Sequence, residues 1–564
     1  MRQCILFPCF QQIELQVAFA SKKSFHLHYS INQATTNNQG DFIMRKHFTF
    51  LLISGFVLLT NSTFAQKDVV NKIIEIGKTD NQTMQHLDVL CNRFGGRLIG
   101  SDAYENSAEW AASKFKEWGM TVQMDEAGTV PVGFNRGPWF GKLLAENGMD
   151  LHFATPSYTS GTKGLQTGHV LLEPKTQDEF DHMKGRLKGA WVLISGKSDG
   201  WPIDFSEKAD HRRDSLIAVN IEIKKKNHDI EDANKKAGDS LPKKELITLA
   251  DEPALFYKQM KDAGILGIIQ SAPVPIRVLY DRKNIDSMTF ENLPTLPDIK
   301  LDEHQYATIE QMTKERRNFF LEFDIRNHFK PGPVKYYNVI GTIPGSKYPD
   351  EIVMMSGHLD AYDVGTGGVD DGSGSTPTME AARMIMKAGG KPKRTIMVCL
   401  WAGEEFGLLG SKNWVKRNPE KLTKISNMFN RDGGPTVANS LSVPDAWWDD
   451  MEKICEPLTG INPDFPFTLK KRESRPKPKV AGGTDAGSFA VEGVPTMTFG
   501  TEDTKGYNFN YGEIWHTERD LYNKSISEYQ EHTSIVTAIV VLGIANLDHL
   551  LAKDVYYVPE KTEK

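Results

Sequence analysis

The sequence predicts an α/β fold in which a mixed, largely parallel sheet is flanked by helices. Short apolar runs, typical of buried strands, alternate with segments of helical spacing along the second half of the chain. These runs are Glu351–Ser356, Thr395–Trp401, Ile425–Phe429 and Val494–Phe499. The 564 residues are too many for one hydrophobic core, so we expect at least two domains.

The composition is that of an ordinary globular protein, with 39% hydrophobic and 25% charged residues. A net charge of -6 argues against nucleic-acid binding, which usually requires a clustered basic surface. Five cysteines without a CxxC pair exclude a cysteine-based zinc module and a disulfide-dense scaffold. The charged run Glu207–Lys244 predicts a solvated helix or loop.

The N-terminal region predicts export. A basic start at Met44–Lys46 precedes the apolar run Phe48–Leu59, and a small residue, Ala65, marks a cleavage position. Residues 44–65 are therefore expected to be a signal peptide, which places the product in the periplasm or outside the cell. The apolar run is too short for a stable membrane span. Residues 1–43 are expected to be an upstream artefact of the start site or a disordered leader.

The stretch Gly357–Gly374 is the centre of the predicted site. It places one histidine and three aspartates in a glycine-rich loop between a strand and a helix: His358, Asp360, Asp370 and Asp371. In open α/β sheets, chemistry occurs outside the carboxyl ends of the strands, where this loop would lie. Imidazole with several carboxylates on rigid flanks indicates a metal site.

Three further clusters follow other predicted strands or precede the last helix. Glu404 and Glu405 follow one strand, Asp432 follows the next, and His516 lies in a loop before the closing helix Glu528–Leu551. Singly, each has an ordinary explanation: adjacent glutamates offset a helix dipole, aspartate forms turns, and a lone histidine is usually structural. Their combination favours a metal site in which one glutamate of the pair binds metal and the other faces bound water.

This ordered set resembles the co-catalytic zinc exopeptidases of the secreted aminopeptidase and glutamate carboxypeptidase type. The resemblance covers about Asp80 to Asn546 and includes the early stretch GGRLIGSDAYENSAEWAASKF and the segment Pro392–Thr395. It implies the zinc-exopeptidase (phosphorylase/hydrolase-like) variety of the α/β fold. It also implies two zinc ions per chain.

The resemblance assigns a role to each residue of the set. One zinc would be held by His358 and Asp432, the other by Glu405 and His516, with Asp370 bridging both and joined to Asp371 by a cis peptide bond. Asp360 would orient the imidazole of His358. Glu404 would be the general base that acts on a hydroxide shared by the two zinc ions.

The resemblance also implies a domain plan. The catalytic domain would comprise residues 66–130 and 300–555, interrupted at 131–299 by a β-rich cap similar to a protease-associated domain, and 556–564 would be a tail. Asp485, in a loop that lines the family's active site, would be a supporting residue, a substrate residue or a helix N-cap.

The expected function is that of a secreted zinc exopeptidase, and aminopeptidase, carboxypeptidase and dipeptidase action all remain open at this point. Its partner would be a short peptide or dipeptide with a free terminus, and the family's homodimers imply a homodimer. One alternative is a single-zinc glutaminyl cyclase on the same fold, which a metal count would distinguish. Another is a binding relative that has lost catalysis, although the ligand set is intact here.

Overall fold

The computed structural model describes residues 67–237 and 242–559. The predicted signal peptide at 44–65 and the preceding residues 1–43 lie outside this described part. Two large sheets dominate it, one of six and one of eight strands. The predicted α/β class, with mixed sheets flanked by helices, is confirmed.

The six-stranded sheet, here called the central sheet, contains the predicted strands of the second half of the chain. Its spatial order is Thr121–Val130, Val334–Ile343, Arg394–Trp401, Tyr348–His358, Ile425–Asn430 and Thr496–Met497. The first two strands are antiparallel to their neighbours and the last four run parallel to one another. Every residue of the parallel strands Arg394–Trp401 and Ile425–Asn430 is buried, because both faces of the sheet are covered at these strands.

Helices cover both faces of the central sheet. Along one strand, Val353 and Met355 pack into the core on one face, whereas Met354 packs with Trp414 and Phe489 on the other. The helices of the first face include Asp102–Glu117, Gly372–Lys387 and Ser527–Ala545. Those of the second face are Leu409–Arg417 and Ala486–Ala490.

Two predicted elements differ in extent from the structure. The run Val494–Phe499 is divided, because Thr496–Met497 pairs in the central sheet while Phe499–Glu502 pairs with a different strand, Val437–Val443. The closing helix ends at Ala545 rather than Leu551. There the Lys393 N–H donates to the side chain of Asn546, and Arg394 donates to a backbone carbonyl, so the chain leaves the helix.

Smaller elements complete this part of the fold. The N-terminal helices are 67–79 and Thr83–Asp88, followed by the π-helix Val89–Phe94. The small sheets contain Val437–Val443, Thr468–Lys471 and Phe499–Glu502; Gly133–Asn135 and His328–Lys330; and Arg475–Pro476 and Tyr557–Val558. The short helices are Pro419–Leu422, Asp445–Trp447, Trp448–Cys455, Glu456–Gly460, Tyr511–Glu513 and Tyr522–Lys524.

The eight-stranded sheet, here called the second sheet, has cores of its own, one of them built around Trp191 and Phe323. Its spatial order is Met149–Asp150, Trp139–Leu144, Phe320–Ile325, Gln166–Leu172, Ala190–Lys197, Gly267–Ala272, Asp298–Asp302 and Phe153–Ala154. Its helices are Gln177–Leu187, Tyr257–Asp262 and Glu303–Lys314, whereas Ile285 of the short helix Arg282–Asp286 packs into the core of the central sheet. One of its strands, Phe320–Ile325, follows residue 299, and the predicted domain boundaries stay a prediction.

The charged run forms a 31-residue helix, Glu207–Ala237, to which the extended segment 242–250 is attached. Three asparagines seven residues apart each donate to the carbonyl and accept from the N–H of a single residue of this segment. The pairs are Asn220 with Ala250, Asn227 with Ile247, and Asn234 with Lys244, at 2.7 or 2.8 Å. Seven helical residues rise about 10.5 Å and three extended residues about 10 Å, so the two spacings match.

Within 67–237 and 242–559, no helix is both long and apolar enough to cross a bilayer.

The three cysteines of this part, Cys91, Cys399 and Cys455, are buried free thiols, and burial raises the pKa of each.

Candidate metal centre

Neighbouring parallel strands of the central sheet deliver predicted site residues to one edge. His358 is the last residue of its strand and lies opposite Trp401, the last residue of the adjacent strand. On the other side, Asn430, two residues before Asp432, lies opposite Ser356. Because the carboxyl ends of parallel strands meet at one edge, residues that follow these strands gather there.

The loop that carries Asp370 is held by its backbone. The N–H groups of Val369 and Asp370 donate to the carboxylate of Asp520 at 2.6 and 3.3 Å. Asp371 accepts the N–H of His358 at 3.0 Å, and the Asp370–Asp371 peptide bond is cis, as the resemblance implies. Sequence reasoning missed the role of Asp520, for which its place four residues after His516 was the only signal.

Arg97 holds the same loop from the other side and was also missed. Its side chain is fully buried and donates to the backbone carbonyls of Leu359, Thr366 and Gly367 at 2.5, 2.8 and 3.3 Å. These bonds explain why the stretch GGRLIG accompanies the metal-ligand motif. A single arginine among glycines gave no local indication of this long-range contact.

Five predicted ligands form two groups that share Asp370. One oxygen of Asp370, Oδ1, lies 3.2 Å from His358 Nε2, which is also 3.8 Å from Asp432 Oδ1. The other oxygen, Oδ2, lies 3.4 Å from His516 Nε2, which is 3.1 Å from Glu405 Oε2. The two oxygens of one carboxylate therefore face two different histidine–acid pairs.

The spacing and chemistry of these atoms fit two zinc ions. Two donor atoms bound at about 2.0 Å and at a tetrahedral angle lie about 3.3 Å apart, close to the observed spacings. Buried Glu405 Oε1 and His516 Nδ1 have no hydrogen-bond partner. Imidazole nitrogens and carboxylate oxygens are ligands that Zn²⁺ accepts.

The electrostatics also favour bound cations. Burial, followed by the charge of Asp370, raises the pKa of Glu405 to about 7. Burial opposes the charged form of His516, but Glu405 and Asp370 outweigh it and raise its pKa to about 9. Clustered buried carboxylates are costly without compensating charge, which divalent cations would supply.

Glu404 lies beside the half of the site that contains His358. Its carboxylate and the ligand atoms of His358 and Asp432 lie within 4.8 Å of one another. Burial, despite the opposing effect of His358, raises the pKa of Glu404 to about 10. This position permits either proton transfer or metal binding by Glu404.

Asp360 contacts the site differently from the expected manner. The Nδ1 of His358 lies 2.9 Å from the backbone carbonyl of Asp360, whereas the nearest carboxylate oxygen is 3.7 Å away. The carboxylate instead accepts the N–H groups of Glu404 and Glu405 at 3.1 and 3.2 Å. Asp360 therefore orients the imidazole through its backbone and the glutamate pair through its side chain.

A cavity of about 750 Å³ opens over these groups. Its lining residues are Asp370, Glu404, Glu405, Gly407, Leu408, Lys412, Asp432, Gly433, Ala481, Gly482, Gly483, Thr484, Tyr511, Trp515 and His516. Asp485 lies at the start of a short helix without a side-chain capping bond, and burial raises its pKa to about 7.

Residues from the predicted cap contact the loop of the glutamate pair. The hydroxyl of Tyr280 donates to the carbonyl of Glu405, and Arg282 donates to the carbonyl of Phe406 at 2.7 Å. The ring of His516 lies 4.1 Å from each of the rings of Tyr362 and Trp515. Neither Tyr280 nor Arg282 belongs to a motif that could have identified it.

The sequence of the chain is similar to those of known peptidases. Residues 338–540 match the family model of Peptidase family M28. Carboxypeptidase Q of Xenopus laevis is 23% identical over 519 residues, which cover 88% of this chain and 94% of that relative. Carboxypeptidase Q of Rattus norvegicus is 27% identical over 231 residues, 40% of this chain and 46% of that relative.

A solved structure shows the same fold. It is a peptidase M28 precursor from Shewanella amazonensis, with a TM-score of 0.52 and 20% identity, covering 87% of this chain and 98% of that one. The expected resemblance to the co-catalytic zinc exopeptidases is confirmed, and the matched relatives include carboxypeptidase Q. The match to a peptidase family and to carboxypeptidase relatives, together with the buried histidine–carboxylate cluster, makes the chain a metallo-exopeptidase.

Proposed function

We propose that the chain is a zinc-dependent exopeptidase that hydrolyses terminal peptide bonds of short peptides or dipeptides, with Glu404 as general base. The observation that carries this proposal is the position of Asp370, whose two oxygens face two separate histidine–acid pairs. A carboxylate so placed suits a bridge between two metal ions. A single-metal site would need only one of the pairs.

The proposed ligands are His358 and Asp432 for one zinc, and Glu405 and His516 for the other, with Asp370 shared. When bound, zinc polarises the scissile carbonyl and lowers the pKa of its water to about 7. The buried Asp520 and Arg97 fix the Asp370 loop, so the ligands would change position little on binding.

Glu404 supplies proton transfer in this proposal. Its carboxylate lies beside His358 and Asp432, and its backbone is fixed by the carboxylate of Asp360. It takes a proton from the attacking water and passes it to the leaving amine, because cleavage must end with a protonated amine. Nearby cations would stabilise the ionised carboxylate that this step requires.

The test replaces Glu404 with Gln, which keeps the size of the side chain but removes the base. Zinc per chain is measured by mass spectrometry, and hydrolysis is measured with dipeptides and aminoacyl-anilides. We expect two zinc ions in wild type and variant, and a decrease in kcat of about 100- to 10,000-fold in the variant. The exposed Glu420→Gln is the matched control.

Several results would contradict the proposal. Loss of a zinc ion from the Glu404→Gln protein would make Glu404 a ligand instead of the base. One zinc per wild-type chain, with cyclisation of N-terminal glutamine and no hydrolysis, would support the glutaminyl cyclase alternative. A wild-type protein without metal or hydrolysis would support a binding relative.

We further propose that the protein is exported after cleavage following Ala65 and acts as a homodimer. Export is supported by the basic and apolar order of residues 44–65, and dimerisation by the resemblance to dimeric exopeptidases. The mass of the protein recovered from culture fractions tests the first proposal. Sedimentation equilibrium tests the second.

A further inference from the structure

The charge of the cavity is unevenly distributed between its floor and its wall. Its floor carries Asp370, Glu404, Glu405 and Asp432, which the proposed function assigns to metal binding and proton transfer. Of the described residues that line it, Lys412 is the one with a permanently cationic side chain. The proposed function therefore gives every carboxylate of the lining a role in metal binding or proton transfer, but it gives Lys412 no role.

Lys412 is held close to the catalytic loop. It lies in the first turn of helix Leu409–Arg417, and its Nζ donates to the carbonyl of Gly407 at 2.9 Å. The N–H groups of Gly407 and Leu408 in turn donate to the carbonyl of Glu404 at 2.7 and 2.9 Å. This turn connects the backbone that holds the ammonium group to the backbone of the proposed base, and both residues line the cavity.

The ammonium group is also available for a ligand. The side chain of Lys412 is exposed, and none of the ion pairs among the described residues includes it. Its hydrogen bond to the carbonyl of Gly407 uses one of the three ammonium hydrogens and leaves two for other acceptors. Among the lining residues, the ammonium group of Lys412 is therefore the permanently positive group to which an anionic ligand could bind.

We propose that Lys412 binds the free C-terminal carboxylate of the substrate, so that the enzyme acts on dipeptides and short peptides from the carboxyl end. This inference rests on the proposed function of the site. With zinc bound, the cations would offset the four acids of the floor, so the ammonium group of Lys412 would add a net attraction for a carboxylate. The substrate's α-ammonium, in contrast, has no carboxylate on the lining dedicated to it.

The test compares a dipeptide with the same dipeptide whose carboxyl end is an amide. The measured quantity is the ratio of kcat/KM for the free acid to kcat/KM for the amide, because a general loss of activity does not change this ratio. Variants are Lys412→Met and Lys412→Arg, with the exposed Lys416→Met one helical turn later as the matched control. Zinc per chain is measured for each protein.

We expect wild type to prefer the free acid and Lys412→Met to lower the ratio about tenfold or more, as for the loss of a charged hydrogen bond. Lys412→Arg should retain most of the preference and Lys416→Met all of it. Equal ratios in wild type and Lys412→Met overturn this inference while leaving the peptidase proposal intact. A zinc-loaded wild type that cleaves neither dipeptide nor anilide overturns both.

Discussion

His532 should make the stability of the protein depend on pH. Its side chain is buried in the helix Ser527–Ala545 against the ring of Phe465, and its Nε2 has no hydrogen-bond partner. Burial, followed by the positive charge of Lys78, lowers its pKa from the ordinary 6.5 to about 4. Between these values the unfolded chain binds a proton that the folded protein does not.

The direction and size of the change in stability with pH follow from the difference between these two pKa values. The contribution of neutral His532 to stability is fully present well above pH 6.5. It decreases as the pH falls, because protonation of this histidine favours the unfolded chain. With the two pKa values above, the free energy of unfolding should fall by about 2 kcal/mol between pH 8 and pH 5. Below about pH 4 the contribution becomes constant, since both states are then protonated.

The assay is urea unfolding of metal-free wild type and His532→Leu at pH 8 and pH 5. Leucine has a similar volume and cannot titrate, so the variant should lose about 2 kcal/mol less than wild type over this interval. Comparing the two proteins removes the pH effects that they share. The exposed His228→Leu, which should behave as wild type, is the matched control. Equal losses in wild type and His532→Leu would refute the reasoning.

Two further predictions concern positioning and the helical arm. Asp360→Asn leaves one acceptor for the two N–H groups of the glutamate pair, so kcat/KM should fall about tenfold with zinc retained; unchanged steady-state kinetics would contradict this role. Asn227→Ala removes the middle pair between the helix and segment 242–250, so trypsin should cleave that segment faster while peptidase activity is unchanged. The exposed Asp229→Ala is its control, and equal cleavage rates would show that the pair does not hold the segment.

Local patterns were sufficient for most of the central sheet. The run Thr395–Trp401 is a strand because nearly continuous apolar residues suit positions buried on both faces. The run Ile425–Phe429 is equally buried, although Ser426 and Asn427 interrupt its apolar residues. The run Val494–Phe499 was misjudged because its halves pair with different sheets. Such partners are distant in sequence, and nothing in a six-residue stretch specifies them.

The sequence by itself determined the fold class and the chemical types at the site. A histidine and paired acids after successive strands, with a second histidine before the closing helix, were enough to indicate a metal site. The resemblance to zinc exopeptidases added the expectation of peptide hydrolysis. Only the tertiary structure decided which oxygen of Asp370 faces which histidine, and that Asp360 uses its carboxylate for the glutamate pair. Arg97 and Asp520 likewise emerged only there. The physical reason is that ligand geometry and electrostatics depend on separations of a few ångströms between residues far apart along the chain.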